Sequence, residues 1–344
     1  MKKAVIVLLI CFLLCGCSAL PDKQRIEKTE TAPQYIKGVW ISYSEINSML
    51  ISGDFKTAFS TAVNKVKDLN VTDLFVHVRA FGDSLFKSDY YPINSKAEQY
   101  DFDVLEYMLV TCKSNGLRFH AWINPYRTTD GTYLNPADSL VLANIINGIR
   151  EIIRSYKVDG IHFDDYFYPS ADTDIDLKSY EDYCAGAESP LSLSEFRTAN
   201  INTLISSVYT LIKFTDKNII YSVSPAASIE KNKNEFFADV KAWCESGCVD
   251  MIIPQLYFGF KYEKEEYRFD NLLNAWKNIP RADGVLMVIG LASYKSGTDA
   301  EPDREEWQDG ADILKRQAEI CLDDSNIDGI CYFSLTSFLN VSEQ

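Results

Sequence analysis

Eight short apolar runs separated by amphipathic stretches constrain this chain more than any other feature. Each run has the length of a β-strand and the stretches between them have the period of a helix. The runs are GVWISY (38–43), DLFVHV (73–78), RFHAWIN (118–124), GIHFDDY (160–166), IIYSVSP (219–225), MIIPQLY (251–257), VLMVIGLA (285–292) and GICYFSL (329–335). Between the first two, Phe55, Ala58, Phe59, Ala62, Val63, Val66 and Leu69 recur at steps of three and four, which puts one apolar stripe on a helix facing a sheet. Ile145, Ile149, Ile152 and Ile153 repeat the pattern before the fourth run, and Leu204, Ile205, Val208, Leu211 and Ile212 before the fifth. Alternating strand and helix units define an α/β fold, and eight of them predict a single TIM (β/α)8 barrel over 36–344. An open doubly wound sheet shares the alternation, but no G-x-G-x-x-G follows any run, which argues against that fold's dinucleotide site.

Two irregularities are expected. The last barrel helix is reduced after Leu335, and a long loop, Pro169 to Leu193, follows strand four. Its Asp, Ser and Tyr content makes that loop a candidate for substrate binding. Asp73, Asp159, Asp250 and Asp328 each stand at or just before the start of an even-numbered strand, in NVTDL, KVDGI, CVDMI and NIDGI. They read as an internal repeat on the stability rim, because catalytic groups of such barrels come from the opposite, C-terminal ends of the strands.

The N-terminus carries the only long apolar run, Ala4 to Leu14, behind Lys2 and Lys3. Eleven residues fall short of the roughly 20 needed to cross a bilayer, but they suit an export signal. Leu14-Cys15-Gly16-Cys17-Ser18 resembles a bacterial lipobox, so 1–16 is read as a lipoprotein signal peptide, Cys17 as the lipidation site and 17–35 as a flexible polar tether. The expected location is therefore extracytoplasmic, anchored to a bacterial membrane through lipid. Of the remaining cysteines, Cys112, Cys184, Cys244, Cys248, Cys321 and Cys331, none has zinc-type C-x-x-C spacing, and they read as small buried apolar residues, with a Cys244–Cys248 pairing left open. A net charge of −15 with no run of basic residues longer than a pair excludes nucleic acid as a partner. The 44 aromatic residues exceed what a core needs and suit stacking on flat ligands.

The strand ends are unusually polar. Strand two runs into Arg79 and Asp83, strand three into Asn124, Tyr126 and Arg127, strand four into Asp164, Asp165 and Tyr166, strand five into Ser224 and strand six into Gln255 and Tyr257. Strand alternation sends His162, Asp164 and Tyr166 inward together, and Asp165 joins them only if the backbone turns there. Asp164 and Asp165 are the candidate catalytic carboxylates. Arg79, Asp83, Asn124, Tyr126, Arg127, Tyr166, Gln255 and Tyr257 are the candidate substrate-binding residues, the polar ones as hydrogen-bond or charge partners and the tyrosines as stacking faces. If only Asp164 is catalytic, its partner carboxylate is Asp83 or, second, Glu45. His77, His120 and His162 fall on adjacent strands and would serve a metal-dependent deacetylase if they formed a zinc site. Lying two to four residues below the rim, they are read as a polar layer, with no metal or cofactor expected.

In order along the chain, Gly38-Val39-Trp40, VRAFGDSLFKSDYYP, HAWINPYR, DGIHFDDYFYP, SVSP and IPQLY resemble the glycosyl hydrolase-like 10 family of exported bacterial barrels, over roughly 36–335. His77 departs from the Gln expected in that family's F-Q-V-R segment. The resemblance implies hydrolysis of N-acetylated bacterial cell-wall glycan, notably peptidoglycan strands stripped of stem peptides. The strand-four segment is also similar to the D-G-x-D-x-D-x-E motif of family 18 chitinases at Asp159, Gly160 and Asp164, whereas His162 and Tyr166 replace an acidic residue and the catalytic Glu. An adjacent Asp pair there allows catalysis assisted by the substrate's own N-acetyl group. The alternative is a non-catalytic carbohydrate-binding surface lipoprotein using the same aromatic cleft.

Overall fold

All eight expected strands form. In a computed structural model describing residues 35–129, 131–298, 304–308 and 312–342, they are β1 (Ile36–Ile41), β2 (Asp73–Arg79), β3 (Arg118–Ile123), β4 (Gly160–Phe163), β5 (Ile220–Val223), β6 (Met251–Ile252), β7 (Leu286–Leu291) and β8 (Gly329–Phe333). Each pairs in parallel with its sequence neighbours and β8 closes onto β1, which makes the fold a (β/α)8 barrel. The signal sequence, Cys17 and all but the last residue of the tether lie outside the described residues.

Period-two alternation divides the strand residues between two cores. Ile36, Trp40, Phe75, Trp122, Met251, Ile253, Val288 and Cys331 fill the barrel interior. Their sequence neighbours, such as Val39, Leu74, Val76 and Ala121, point outward into the larger core beneath the helices. The helix Phe55–Asp68 buries Phe55, Phe59, Ala62, Val63 and Val66, the stripe expected from its spacing, and begins where the Asp54 carboxylate accepts the Thr57 N–H. Fully burying each such Phe or Val side chain is worth about 1.5–3 kcal/mol before entropy is counted. Ser139–Ser155 and Leu193–Thr215 bury their stripes in the same way. The final helix, Leu335–Ser342, has eight residues, short as expected. All six described cysteines are free thiols, four of them buried, so Cys244 and Cys248 do not pair.

Three of the four N-terminal-rim aspartates form one repeated clamp. The Asp159 carboxylate accepts the Phe119 N–H at 2.8 Å, Asp250 that of Tyr221 at 2.6 Å and Asp328 that of Met287 at 2.8 Å. The backbone N–H of each Asp donates back to the same residue's carbonyl, and the carbonyl of each accepts from the following odd-numbered strand: Ile220, Leu286 and Ile36. Each aspartate therefore ties three strands together and satisfies donors that the strand start leaves open. Asp73 departs from the set. The clamp on β1 is made by Thr72, whose Oγ1 accepts the Lys37 N–H at 3.0 Å. Asp73, one residue later, takes the opposite face and is buried inside the barrel against His120 at 2.8 Å and Arg118 at 2.7 Å. Gly160 is required beside them, because a Cβ there would lie 2.1 Å from His120 Nδ1.

The strand-four insertion carries the helix Leu177–Gly186, which buries none of its residues. A buried hub anchors the insertion. Arg197 pairs with Asp176 at 2.7 Å and donates to the Ala171 and Thr173 carbonyls, while Tyr168 Oη donates to Asp176 at 2.9 Å.

Candidate active site

A cavity of about 350 Å³ opens at the C-terminal rim, within the range of small-ligand sites. Asp164 and Asp165 lie in it together. Asp164 follows the β4 alternation inward and is 2% exposed. Asp165 follows because the backbone turns: the Phe167 N–H bonds back to the Asp165 carbonyl at 3.0 Å, closing a three-residue turn that keeps the half-buried Asp165 on the cleft side.

Two long hydrogen bonds hold Asp164: the Trp122 indole donates to Oδ2 at 3.3 Å and the Tyr166 N–H to Oδ1 at 3.3 Å. Among the described residues no cation closes on it to ion-pair distance. Burial, then the neighbouring charge of Asp165, pushes the Asp164 carboxyl well above the usual carboxylate range. Burial also raises Asp165, to about 6, against the opposing pull of its hydrogen bonds, including one from Gln255, and of the Lys231 and Arg127 charges. Burial and the mutual repulsion of two adjacent carboxyls thus favour protonation at this pair.

The three histidines occupy different levels. His162, on the cleft floor, accepts the Trp40 indole N–H on Nε2 at 3.0 Å, so its proton sits on Nδ1, facing Ser222 Oγ at 2.8 Å. His77 accepts the Tyr43 N–H on Nδ1 and directs Nε2 to Asn124 Oδ1 at 3.3 Å. Its ring stacks on Trp122, with centroids 3.3 Å apart. Burial pushes His77 down to about 3 and His162 well below the ordinary imidazole value, so both are neutral. His120 lies lower, with Asp73. In His77 and His162 the lone pair a metal would need is already engaged by an N–H donor. Among the described residues no group of three or more His, Cys, Asp or Glu converges as a ligand set.

The candidate binding residues separate into two groups. Arg127, Tyr166, Gln255 and Tyr257 line the cleft. Arg79, Asn124 and Tyr126 are buried behind it. A β-bulge between His77 and Arg79 consumes one residue of the alternation, so Arg79 pairs with outward-facing Ile123 and turns away from the interior. Its guanidinium donates to the Asn124 and Pro125 carbonyls at 2.7 and 3.2 Å and lies 4.2 Å from the Tyr91 ring centroid. Asn124 braces His77 and donates to the Ala80 carbonyl at 3.0 Å, which sets the ring on which Trp122 stacks. Asp83 accepts from Asn94 at 2.7 Å and lines a neighbouring cavity of about 200 Å³ that shares Tyr43 and His77 with the cleft. Glu45 is committed elsewhere, accepting from the Ser42 N–H and hydroxyl, Ser334 Oγ and the Thr336 N–H. No residue of the 169–193 insertion lines the cleft.

Sequence reading missed most of the aromatic wall. Tyr43 and Tyr294, 47% and 45% exposed, face the cleft with Phe333, while Trp40 and Trp122 reach it from below. Tyr257, Tyr294 and Phe333 pack as one cluster with centroids about 6 Å apart. Their signal was available: like Tyr126, Tyr166 and Tyr257, each stands on or just after a strand at the C-terminal side.

A closed (β/α)8 barrel with a carboxylate pair in an aromatic cleft at its C-terminal rim defines the class of barrels shaped like glycoside hydrolases. Residues 125–309 match the family described as Glycosyl hydrolase-like 10, and the chain belongs to that family. The match begins just before Tyr126 and so covers β4 to β7, a shorter span than the motifs had implied. Glycosyl hydrolase DigH of Escherichia coli K12 is 25% identical, over 93% of this chain and 89% of its own length. Glycosyl hydrolase YngK of Bacillus subtilis 168 is 24% identical, over 81% of this chain and 63% of its own. Among solved structures, the PgaB (BpsB) glycoside hydrolase domain of Bordetella bronchiseptica superposes with a TM-score of 0.62 at 12% identity, covering 87% of this chain and 94% of that one. A family GH18 chitinase from Cycas revoluta reaches 0.56 at 10% identity, covering 89% and 96%. These two likenesses show the fold.

Proposed function

We propose that the protein is a glycoside hydrolase acting on N-acetylated bacterial cell-wall glycan, with peptidoglycan strands free of stem peptides as its substrate. The observation that carries this reading is the adjacent Asp164–Asp165 pair, short of cationic partners, at the base of an aromatic cleft. Hydrolysis needs an acid for the leaving oxygen and a group that stabilises the positive anomeric carbon. Two consecutive residues cannot flank one sugar, so the acetamido group of the substrate supplies the second function. Asp164 gives its proton to the glycosidic oxygen as the bond from that oxygen to the anomeric carbon breaks. The acetamido carbonyl oxygen bonds to the anomeric carbon from the other face, and ionised Asp165 accepts the N–H of the resulting oxazolinium ion. Water, deprotonated by Asp164, then opens the ring and restores the acetamide with net retention of configuration. Tyr43, Tyr257 and Tyr294 offer ring faces to pyranoses, and Gln255 and Arg127 offer donors.

Cys17 carries the lipid that holds the enzyme on the extracytoplasmic face of the membrane in this reading, and Cys17→Ala is expected to release it from membranes. The deciding experiment is mass and anomer analysis of products from purified peptidoglycan, with and without removal of stem peptides and of N-acetyl groups. Retained products from N-acetylated strands alone are expected. An inverted first product, or equal rates on de-N-acetylated strands, would overturn the substrate-assisted mechanism, and absence of any cleavage would overturn the enzymatic reading.

A further inference from the structure

Among the described residues, the two fully buried guanidinium groups both find acceptors, although Arg79 leaves its Nε unpartnered. Arg197 is bonded to Asp176 and two carbonyls, and Arg79 to two carbonyls. Arg127 is different. Its guanidinium lies 4.1 Å from the Tyr166 ring centroid and 5.3 Å from that of Phe81, so aromatic faces hold it without satisfying any of its N–H groups. It makes no hydrogen bond or ion pair with a described residue, and its Nε is buried without a partner. Asp164 and Asp165 share the cavity and feel its charge, yet neither comes within ion-pair distance.

The backbone on either side of Arg127 is paired. Arg127 bridges Tyr133 in an antiparallel pair, Thr128 N–H donates to the Thr132 carbonyl at 3.0 Å, and Leu134 N–H donates to the Tyr126 carbonyl at 2.8 Å. A planar donor fork, the only Lys or Arg among the described residues lining the cleft of a protein with net charge −15, fits a planar anion with two oxygens. The neighbouring Asp pair disfavours a dianion, which leaves a carboxylate ahead of a phosphate ester.

We infer that Arg127 is a specificity-determining residue that binds an ionised carboxylate carried by a sugar of the substrate. This rests on the cleft being a glycan site. It gives a physical basis for a preference for strands without peptides, since an amide-linked peptide removes that charge and leaves the fork unpaired.

The test compares peptidoglycan strands cleared of stem peptides with the same strands after their carboxylates are converted to methylamides. Wild type is expected to prefer the carboxylate form about 10- to 100-fold in kcat/KM, the span of a charged hydrogen bond. Arg127→Gln is expected to bring that ratio close to unity, and Arg127→Lys to retain part of it. The ratio separates recognition of the carboxylate from any shift of the Asp pair, which affects both substrates alike. Equal wild-type rates on both forms, or a preference that survives Arg127→Gln, would overturn the inference while leaving the hydrolase reading intact. If neither form is cleaved the hydrolase reading fails, and the same ratio measured as dissociation constants by calorimetry decides the role of Arg127.

Discussion

The two rims of this barrel bury aspartate in opposite ways. At the N-terminal end Asp73 is wholly enclosed, and burial alone would raise its carboxyl, but His120 and Arg118 together outweigh that effect and hold it below the usual range. At the C-terminal end Asp164 is equally enclosed, and its neighbours are one indole N–H, one backbone N–H and a second carboxyl, so its carboxyl rises. The same side chain is thus held as an anion at one end and pushed towards its protonated form at the other. What separates them is the balance between desolvation and available partners. The oxygens of Glu45 and of the Asp159, Asp250 and Asp328 clamps are likewise engaged by N–H or hydroxyl donors.

Exchanging single carboxylates tests this contrast most directly. Asp164→Asn should lower kcat on cell-wall glycan about 10²- to 10⁴-fold, the range of a lost general acid. It should not destabilise the fold. Because the Asp164 carboxyl is raised in the folded state, wild-type stability falls as pH rises from the unfolded carboxylate value through the folded one, and Asn removes that loss. The melting temperature of the variant at pH 8 should therefore equal or exceed that of wild type. A variant that retains full activity would return Asp164 to a structural role.

Asp73→Ala should do the reverse, costing about 3 kcal/mol of stability in denaturant unfolding because it strands a buried His120 and the Arg118 charge. The lower end of the range for broken buried pairs applies, since Arg118 is 22% exposed. A loss below about 1 kcal/mol would show that Asp73 is not held as its surroundings indicate.

The pH profile sharpens the same comparison. Activity that needs ionised Asp165 should rise through about pH 6, falling roughly tenfold per unit below it, and should decline on the alkaline side as Asp164 gives up its proton. A flat profile between pH 4 and 7 would contradict the assignment of the pair.

The smallest effects belong to the clamps. Asp159→Ala, Asp250→Ala and Asp328→Ala should each cost about 1 kcal/mol by freeing a strand N–H, and nearly additively, because the sites are spread around the rim. Thr72→Val should cost a similar amount, whereas a role for Thr72 unlike that of the three aspartates would leave it silent.

Much of the architecture is determined by sequence alone. The eight apolar runs fall on the eight strands, and the helix stripes and the short final helix follow from periodicity, because burial of one face is a local property repeated along the chain. The inward turn of His162 and Asp164 follows from the same alternation. Tertiary structure decides wherever a single residue changes the phase or a distant partner takes the side chain. The bulge after His77 withdraws Arg79 from the interior, and the one-residue offset makes Thr72 the clamp and sends Asp73 inside. Glu45 is claimed by Ser334 and Thr336, nearly 300 residues away. Arg197 holds the strand-four insertion, and none of its residues lines the cleft. A period is written in neighbouring residues, but the partners of a buried polar group come from remote segments, and in this barrel those partners decide whether a carboxylate anchors the fold or holds a proton.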